Sequence, residues 1–116
     1  MRNDKPNLIV DLTLAFSVKI IEFTELLESK GKRVIANQLL KSGTSIGANT
    51  YEAQNSESKR DFIHKFKIAA KEADETMYWL KLCEMAPSYP FDETIKTDLV
   101  SISKIISKII SSSKDP

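Results

Sequence analysis

The sequence predicts an all-α protein, an antiparallel up-down-up-down four-helix bundle formed by one domain over residues 1–116. Two observations carry that prediction: four stretches repeat apolar residues at helical spacing, and the three breaks between them are short, leaving no linker that could separate two domains. The composition agrees, because 41% hydrophobic and 28% charged residues are ordinary for a chain that buries a core and unlike a disordered or fibrous one.

The first helix is expected from about Pro6 to Ser29. Ile9, Leu12, Phe16, Ile20, Phe23 and Leu27 recur at spacings of three and four, with Asp11, Lys19, Glu22, Glu25 and Glu28 on the other face. Lys30-Gly31 stops it, since glycine adopts the left-handed conformation that closes a helix.

The second helix, about Lys32 to Gln54, places Ile35, Leu39, Ser42, Ile46, Asn49 and Ala53 on one stripe. Its middle is small: Gly43 and Gly47 each cost about 1 kcal/mol against alanine inside a helix unless close packing compensates. A neighbouring helix backbone should approach there, or large side chains such as Phe62, Phe66, Tyr78 and Trp79 should fill the space. A phosphate cradle is disfavoured, because the glycine spacing matches neither nucleotide-binding pattern and no strand precedes it.

Ser58 followed by Asp61 reads as the capped start of a third helix that runs to about Met85. Phe62, Phe66, Ala69, Ala73, Met77, Leu80 and Cys83 form its core stripe, and Ala86-Pro87 ends it because proline disfavours helical geometry in the residue before it. Asp92 caps the fourth helix, whose stripe is Ile95, Leu99, Ile102, Ile106 and Ile109. Val100, Ile105 and Ile110 are left over on adjoining faces, so self-association is expected through helices three and four.

Several chemistries lack their residues. The single histidine, His64, with Asp61 before it, supplies at most two metal ligands, and di-iron bundle sites require more. No nucleophile signature is present, and Glu72, Asp74 and Glu75 read as solvated or salt-bridging groups rather than an acid and base pair. The expectation is a protein that is not an enzyme and takes no cofactor. Cys83 reads as a small buried hydrophobe. The opening residues lack the apolar run of a signal peptide and no stretch approaches a membrane span, so a cytoplasmic location with no membrane partner is expected.

The net charge of +1 is unevenly spread. From Lys30 to Lys71 nine basic residues face three acidic ones, and from Glu72 to Asp98 seven acidic residues face two basic ones. These surfaces are first the solvated faces that helices need; the functional alternative is RNA or DNA binding through Lys30, Lys32 and Arg33 in the first turn and Lys59, Arg60, Lys65 and Lys67 at the start of helix three. In an antiparallel bundle those two clusters fall at opposite ends.

The stretch from Gln38 to Ala53, with Ser42, Ser45, Ile46, Asn49 and Glu52, followed by Phe62, Phe66, Ile68-Ala69, Glu72, Glu75 and Trp79-Leu80, resembles the four-helix-bundle proteins first met in intervening sequences of bacterial 23S ribosomal RNA genes. The resemblance covers about three quarters of the 116 residues, helices one to three best. It implies a ring-like homopentamer in a bacterial cytoplasm and implies little about activity. A related group, the accessory variability proteins of diversity-generating retroelements, is strongly basic and binds nucleic acid, and this chain departs from it in charge. Asn49, Glu52, Glu72 and Glu75 fall on the family's polar positions and are expected to be buried or interface hydrogen-bonding groups that fix packing register. Two functions remain open: a homo-oligomeric scaffold acting through contacts with itself or another protein, and a non-specific RNA or DNA binder.

Overall fold

Each helix begins and ends where its local chemistry directs. In the structure, a computed structural model that describes residues 7–113, α1 spans Leu8–Ser29, α2 Arg33–Ala53, α3 Lys59–Met85 and α4 Glu93–Ser113. Asn7 caps α1 by accepting the Val10 N–H at 3.4 Å, and its amide donates to Gln54 Oε1 at 2.7 Å, which ties the start of α1 to the end of α2. At the other end Gly31 adopts φ +78°, and the Lys32 and Gly31 amides return to the carbonyls of Leu27 and Glu28, both at 2.9 Å. This pair of hydrogen bonds closes the helix around the left-handed glycine. Ser58 caps α3 through the Asp61 amide at 3.0 Å, Ala86 is extended before Pro87, and Asp92 holds the Thr94 amide at 2.9 Å to start α4.

The order of packing follows from these short turns. α2 lies between α1 and α3, α4 returns to touch both α3 and α1, and no diagonal pair meets among the described residues. The bundle measures 48 × 25 × 20 Å. Phe16, Ile20 and Leu27 of α1, Leu39 and Ile46 of α2, Phe66 and Leu80 of α3, and Leu99 and Ile106 of α4 form its closed interior. Each contributes about 1.5–3 kcal/mol by leaving water.

The expected stripes hold with specific departures. Leu12, Ile35, Phe62, Met77 and Ile109 are partly buried around the core, and Asn49 is half-buried, while Thr13, Thr24, Thr50 and Thr76 are buried. Threonine is tolerated there because its hydroxyl donates to a carbonyl of its own helix, as Thr13 does to Ile9 at 2.8 Å and Thr50 to Ile46 at 2.9 Å. The methyl group is then what the core meets.

The small segment of α2 faces α1. A Cβ on Gly43 would lie 2.9 Å from the Ile20 side chain, and one on Gly47 would meet Ser17 Oγ at 3.1 Å and the Thr13 carbonyl at 3.2 Å. Close approach of a helix is therefore the reason for the glycines. The aromatic filling expected from Phe62, Phe66, Tyr78 and Trp79 does not occur at these positions, because α1 occupies the space.

Candidate functional site

The basic residues divide between the two ends of the bundle. Lys30, Lys32 and Arg33 sit at the α1–α2 turn, where Lys32 Nζ lies 5.0 Å from the centre of the Tyr89 ring and 3.2 Å from Ser88 Oγ, both on the α3–α4 connection. Lys59, Arg60, Lys65 and Lys67 occupy the first turns of α3 at the opposite end. Lys65 turns towards α2 and bonds Glu52 at 2.9 Å, and that bond, followed by the Glu52 charge, holds its ammonium above the usual lysine range. Lys59, Arg60 and Lys67 instead line a hollow of about 410 Å³ together with Ile63 and His64. The four residues at the start of α3 thus serve two arrangements, an interhelical pair and a cationic hollow.

The four polar positions are placed differently from one another. Asn49 donates to the Ser45 carbonyl of its own helix at 2.9 Å, and Glu75 accepts the Trp79 indole N–H four residues on at 3.2 Å. Among the described residues, Glu52 alone of the four makes a side-chain bond to another helix, from an exposed position. Glu72 is half-buried and offers its backbone carbonyl to Thr76. Among the described residues, a fully buried polar link between helices is made by Ser42 and Thr76, whose hydroxyl oxygens are 2.9 Å apart. Thr76 carried no signal in the periodicity, since threonine fits a solvated face equally well.

Exposed apolar side chains are concentrated away from α3 and α4. Of the large exposed ones, Leu8, Leu14, Val18, Ile21 and Leu26 lie on α1 and Val34, Leu40 and Tyr51 on α2, against Tyr78, Met85 and Val100 on the other two helices. Ile105, Ile109 and Ile110 pack against the core, so the surplus expected on helices three and four is carried mainly by α1 and α2. The reason is register: α4 rotates its additional isoleucines towards the flanking helices. Leu14, Val18 and Ile21 recur at helical spacing, as do Leu40, Thr44, Gly47, Ala48 and Tyr51. Members of both sets line a shallow groove of about 530 Å³ between the helices, whose other wall residues are Ser17 and, at one end, Glu52. A second apolar periodicity, offset from the core stripe, was the available sequence signal for this face.

Among the described residues no three or more of the His, Cys, Asp and Glu side chains converge on a point that could hold a metal ion. Cys83 is buried, and desolvation pushes its thiol up, which favours the inert protonated form. No helix among the described residues is long and apolar enough to cross a membrane.

The class defined by this geometry is a four-helix bundle whose distinctive features are surfaces. The chain belongs to the family of 23S rRNA-intervening sequence proteins, whose model matches residues 6–111. It is similar to a protein of unknown function from the S23 ribosomal protein family of Bacteroides thetaiotaomicron VPI-5482, known from a crystal structure at 1.70 Å resolution. The two share 41% identity and superpose with a TM-score of 0.83 over 88% of this chain and 97% of that one. No curated protein matches the chain. The family and this neighbour carry no assigned activity, in keeping with a helical module of unassigned role.

Proposed function

We propose that the protein is a non-enzymatic, homo-oligomeric scaffold of the bacterial cytoplasm, with a ring of five subunits as the assembly its family suggests. The observation that carries this reading is the α1–α2 face, where Leu14, Val18 and Ile21 stand beside Leu40, Thr44, Gly47, Ala48 and Tyr51. Exposed apolar area disfavours a free monomer by about 25 cal/mol per Å², and a flat stripe with small residues at its centre accepts a helix at close range. Light scattering of the wild type and of the Val18→Glu/Tyr51→Glu variant at two concentrations tests it. A discrete oligomer that falls to monomer in the variant, with helical circular dichroism intact, is expected. A wild type that is monomeric at both concentrations overturns it.

A second reading, non-specific RNA or DNA binding, is favoured by the hollow where Lys59, Arg60, His64 and Lys67 come together beside the start of α3. With a net charge of +1, five subunits carry only about +5, so affinity must come from such local clusters rather than an overall field. Titration of a labelled RNA strand and a DNA duplex at rising salt should give slopes near −0.7 to −0.9 per neutralised phosphate. Arg60→Glu/Lys67→Glu should abolish binding, and a wild type that ignores both nucleic acids at low salt removes this reading.

A further inference from the structure

The outer face of α3 carries charge and an aromatic ring in one line. Arg60, His64, Lys67 and Lys71 follow one another at intervals of four, three and four residues, and all are exposed, which sets them along a single stripe of about 16 Å at 1.5 Å per residue. Among the described residues none of Arg60, Lys67 and Lys71 forms an ion pair. Tyr78 stands seven residues beyond Lys71 and 18 beyond Arg60, five whole turns, so the stripe runs on to its ring. At 57% exposed it is the most open Phe, Tyr or Trp ring among the described residues. The half-buried Trp79 braces it, with ring centres 5.1 Å apart and ring planes at 70°.

The cations alone suit any polyanion. What narrows the choice is the interval between Lys71 and Tyr78, where Asp74 and Glu75 are exposed. A duplex lying along α3 is too stiff to turn aside, with a persistence length of about 50 nm, so phosphates meeting Lys67 and Lys71 would be followed by others driven onto these two carboxylates. A single strand can keep its phosphates on the cations and present only a base further on. An aromatic ring beside a cationic track is the arrangement by which proteins hold single strands, because every base offers a face to stack.

We infer that the outer face of α3 holds a single nucleic-acid strand, its phosphates against Arg60, Lys67 and Lys71 and one base stacked on Tyr78. The inference rests on the nucleic-acid reading and says which form is taken. It does not depend on self-association through α1 and α2.

The test is fluorescence anisotropy of three labelled probes of one length, an unstructured RNA strand, a DNA strand and a DNA duplex, with the intact wild type and three variants at several salt concentrations. The better of the two strands should bind at least about tenfold more tightly than the duplex, and the comparison of RNA with DNA identifies which strand the site takes. Tyr78→Ala should weaken that strand about fivefold or more, as loss of one stacked base does, with the salt slope unchanged, and Tyr78→Trp should restore it. Lys67→Gln/Lys71→Gln should instead flatten the salt slope by about 1.4, for two phosphate contacts at about 0.7 each. A duplex bound as tightly as either strand, or a Tyr78→Ala protein that binds as the wild type does, overturns the inference and leaves the nucleic-acid reading in place. So does a lower light-scattering mass for Tyr78→Ala, which would assign the ring to a subunit contact. A wild type that binds none of the three probes at low salt removes both.

Discussion

Ser42 of α2 and Thr76 of α3 face each other across the interior, both fully buried, with their hydroxyl oxygens 2.9 Å apart. Thr76 Oγ1 is also 2.7 Å from the Glu72 carbonyl, which can only accept. The Thr76 proton therefore goes to that carbonyl, and the Ser42 hydroxyl donates across the helix pair. Thr76 keeps its bond within α3, whereas Ser42 has this partner only while the two helices keep their register.

Removing the Thr76 hydroxyl leaves that of Ser42 without its partner in a dry site. Thr76→Val should cost about 1–3 kcal/mol of unfolding free energy, whereas Thr76→Val/Ser42→Ala should cost less than the sum of the two single changes. Urea denaturation of the four proteins measures the coupling, and additive costs would mean that the hydroxyls do not support one another.

The two glycines of α2 should respond differently to alanine. Gly43→Ala drives a methyl into Ile20, which is wholly buried and has no room to yield, so a loss of about 1–3 kcal/mol should exceed the gain of about 1 kcal/mol in helix propensity. Gly47→Ala meets looser contacts at 3.1–3.3 Å, and the propensity gain should leave its stability within about 1 kcal/mol of wild type. Ile20→Ala removes the atoms that the new methyl would strike but itself costs about 2–5 kcal/mol, so the double variant should lose less than the sum of the two single losses. Thermal or urea melts of the four variants decide it.

The α4 cap should be pH-dependent. The Asp92 carboxyl is held below its usual range, first by the Thr94 hydroxyl at 2.6 Å, with the Thr94 amide and the Lys19 charge adding and partial burial opposing. A carboxyl lowered in the folded state stabilises above its unfolded value of about 3.9, and that contribution is lost as pH falls through the folded value. Asp92→Ala should therefore cost about 1 kcal/mol at neutral pH, and its difference from wild type should shrink once the pH falls below about 4. Chemical denaturation at several pH values measures the difference.

Cys83 should report global opening. It is 1% exposed and burial raises its thiol, so a thiol reagent should label the native protein slowly and accelerate in urea in step with the loss of helical signal. Fast labelling without denaturant would show that the end of α3 opens by itself.

The ends of the helices were legible because they are chosen locally. Gly31, Ser58, Pro87 and Asp92 act on residues within one turn of themselves, and each marks a boundary in the structure. The core stripes of α1, α3 and α4 followed from spacing for the same reason. In α2, Ser42, Gly43 and Gly47 announced tight packing without saying against what, and only the position of Ile20 and Thr13 on α1 answers that.

The candidate surfaces were less legible. The separation of Lys30, Lys32 and Arg33 from the cluster at the start of α3 follows from chain direction alone. That Lys65 is engaged by Glu52 while Arg60 and Lys67 flank a hollow depends on how α3 is rotated against α2. The rotation of α4 turns Ile105 and Ile110 towards the core, while Leu14 and Val18 of α1 and Tyr51 of α2 stay exposed. By itself the sequence determined four helices, their order and their limits, because periodicity, caps and proline act along the chain. Which flank of each helix stays in the open, and which polar groups meet, was decided by tertiary packing, because those depend on rotations about helix axes that no local residue controls.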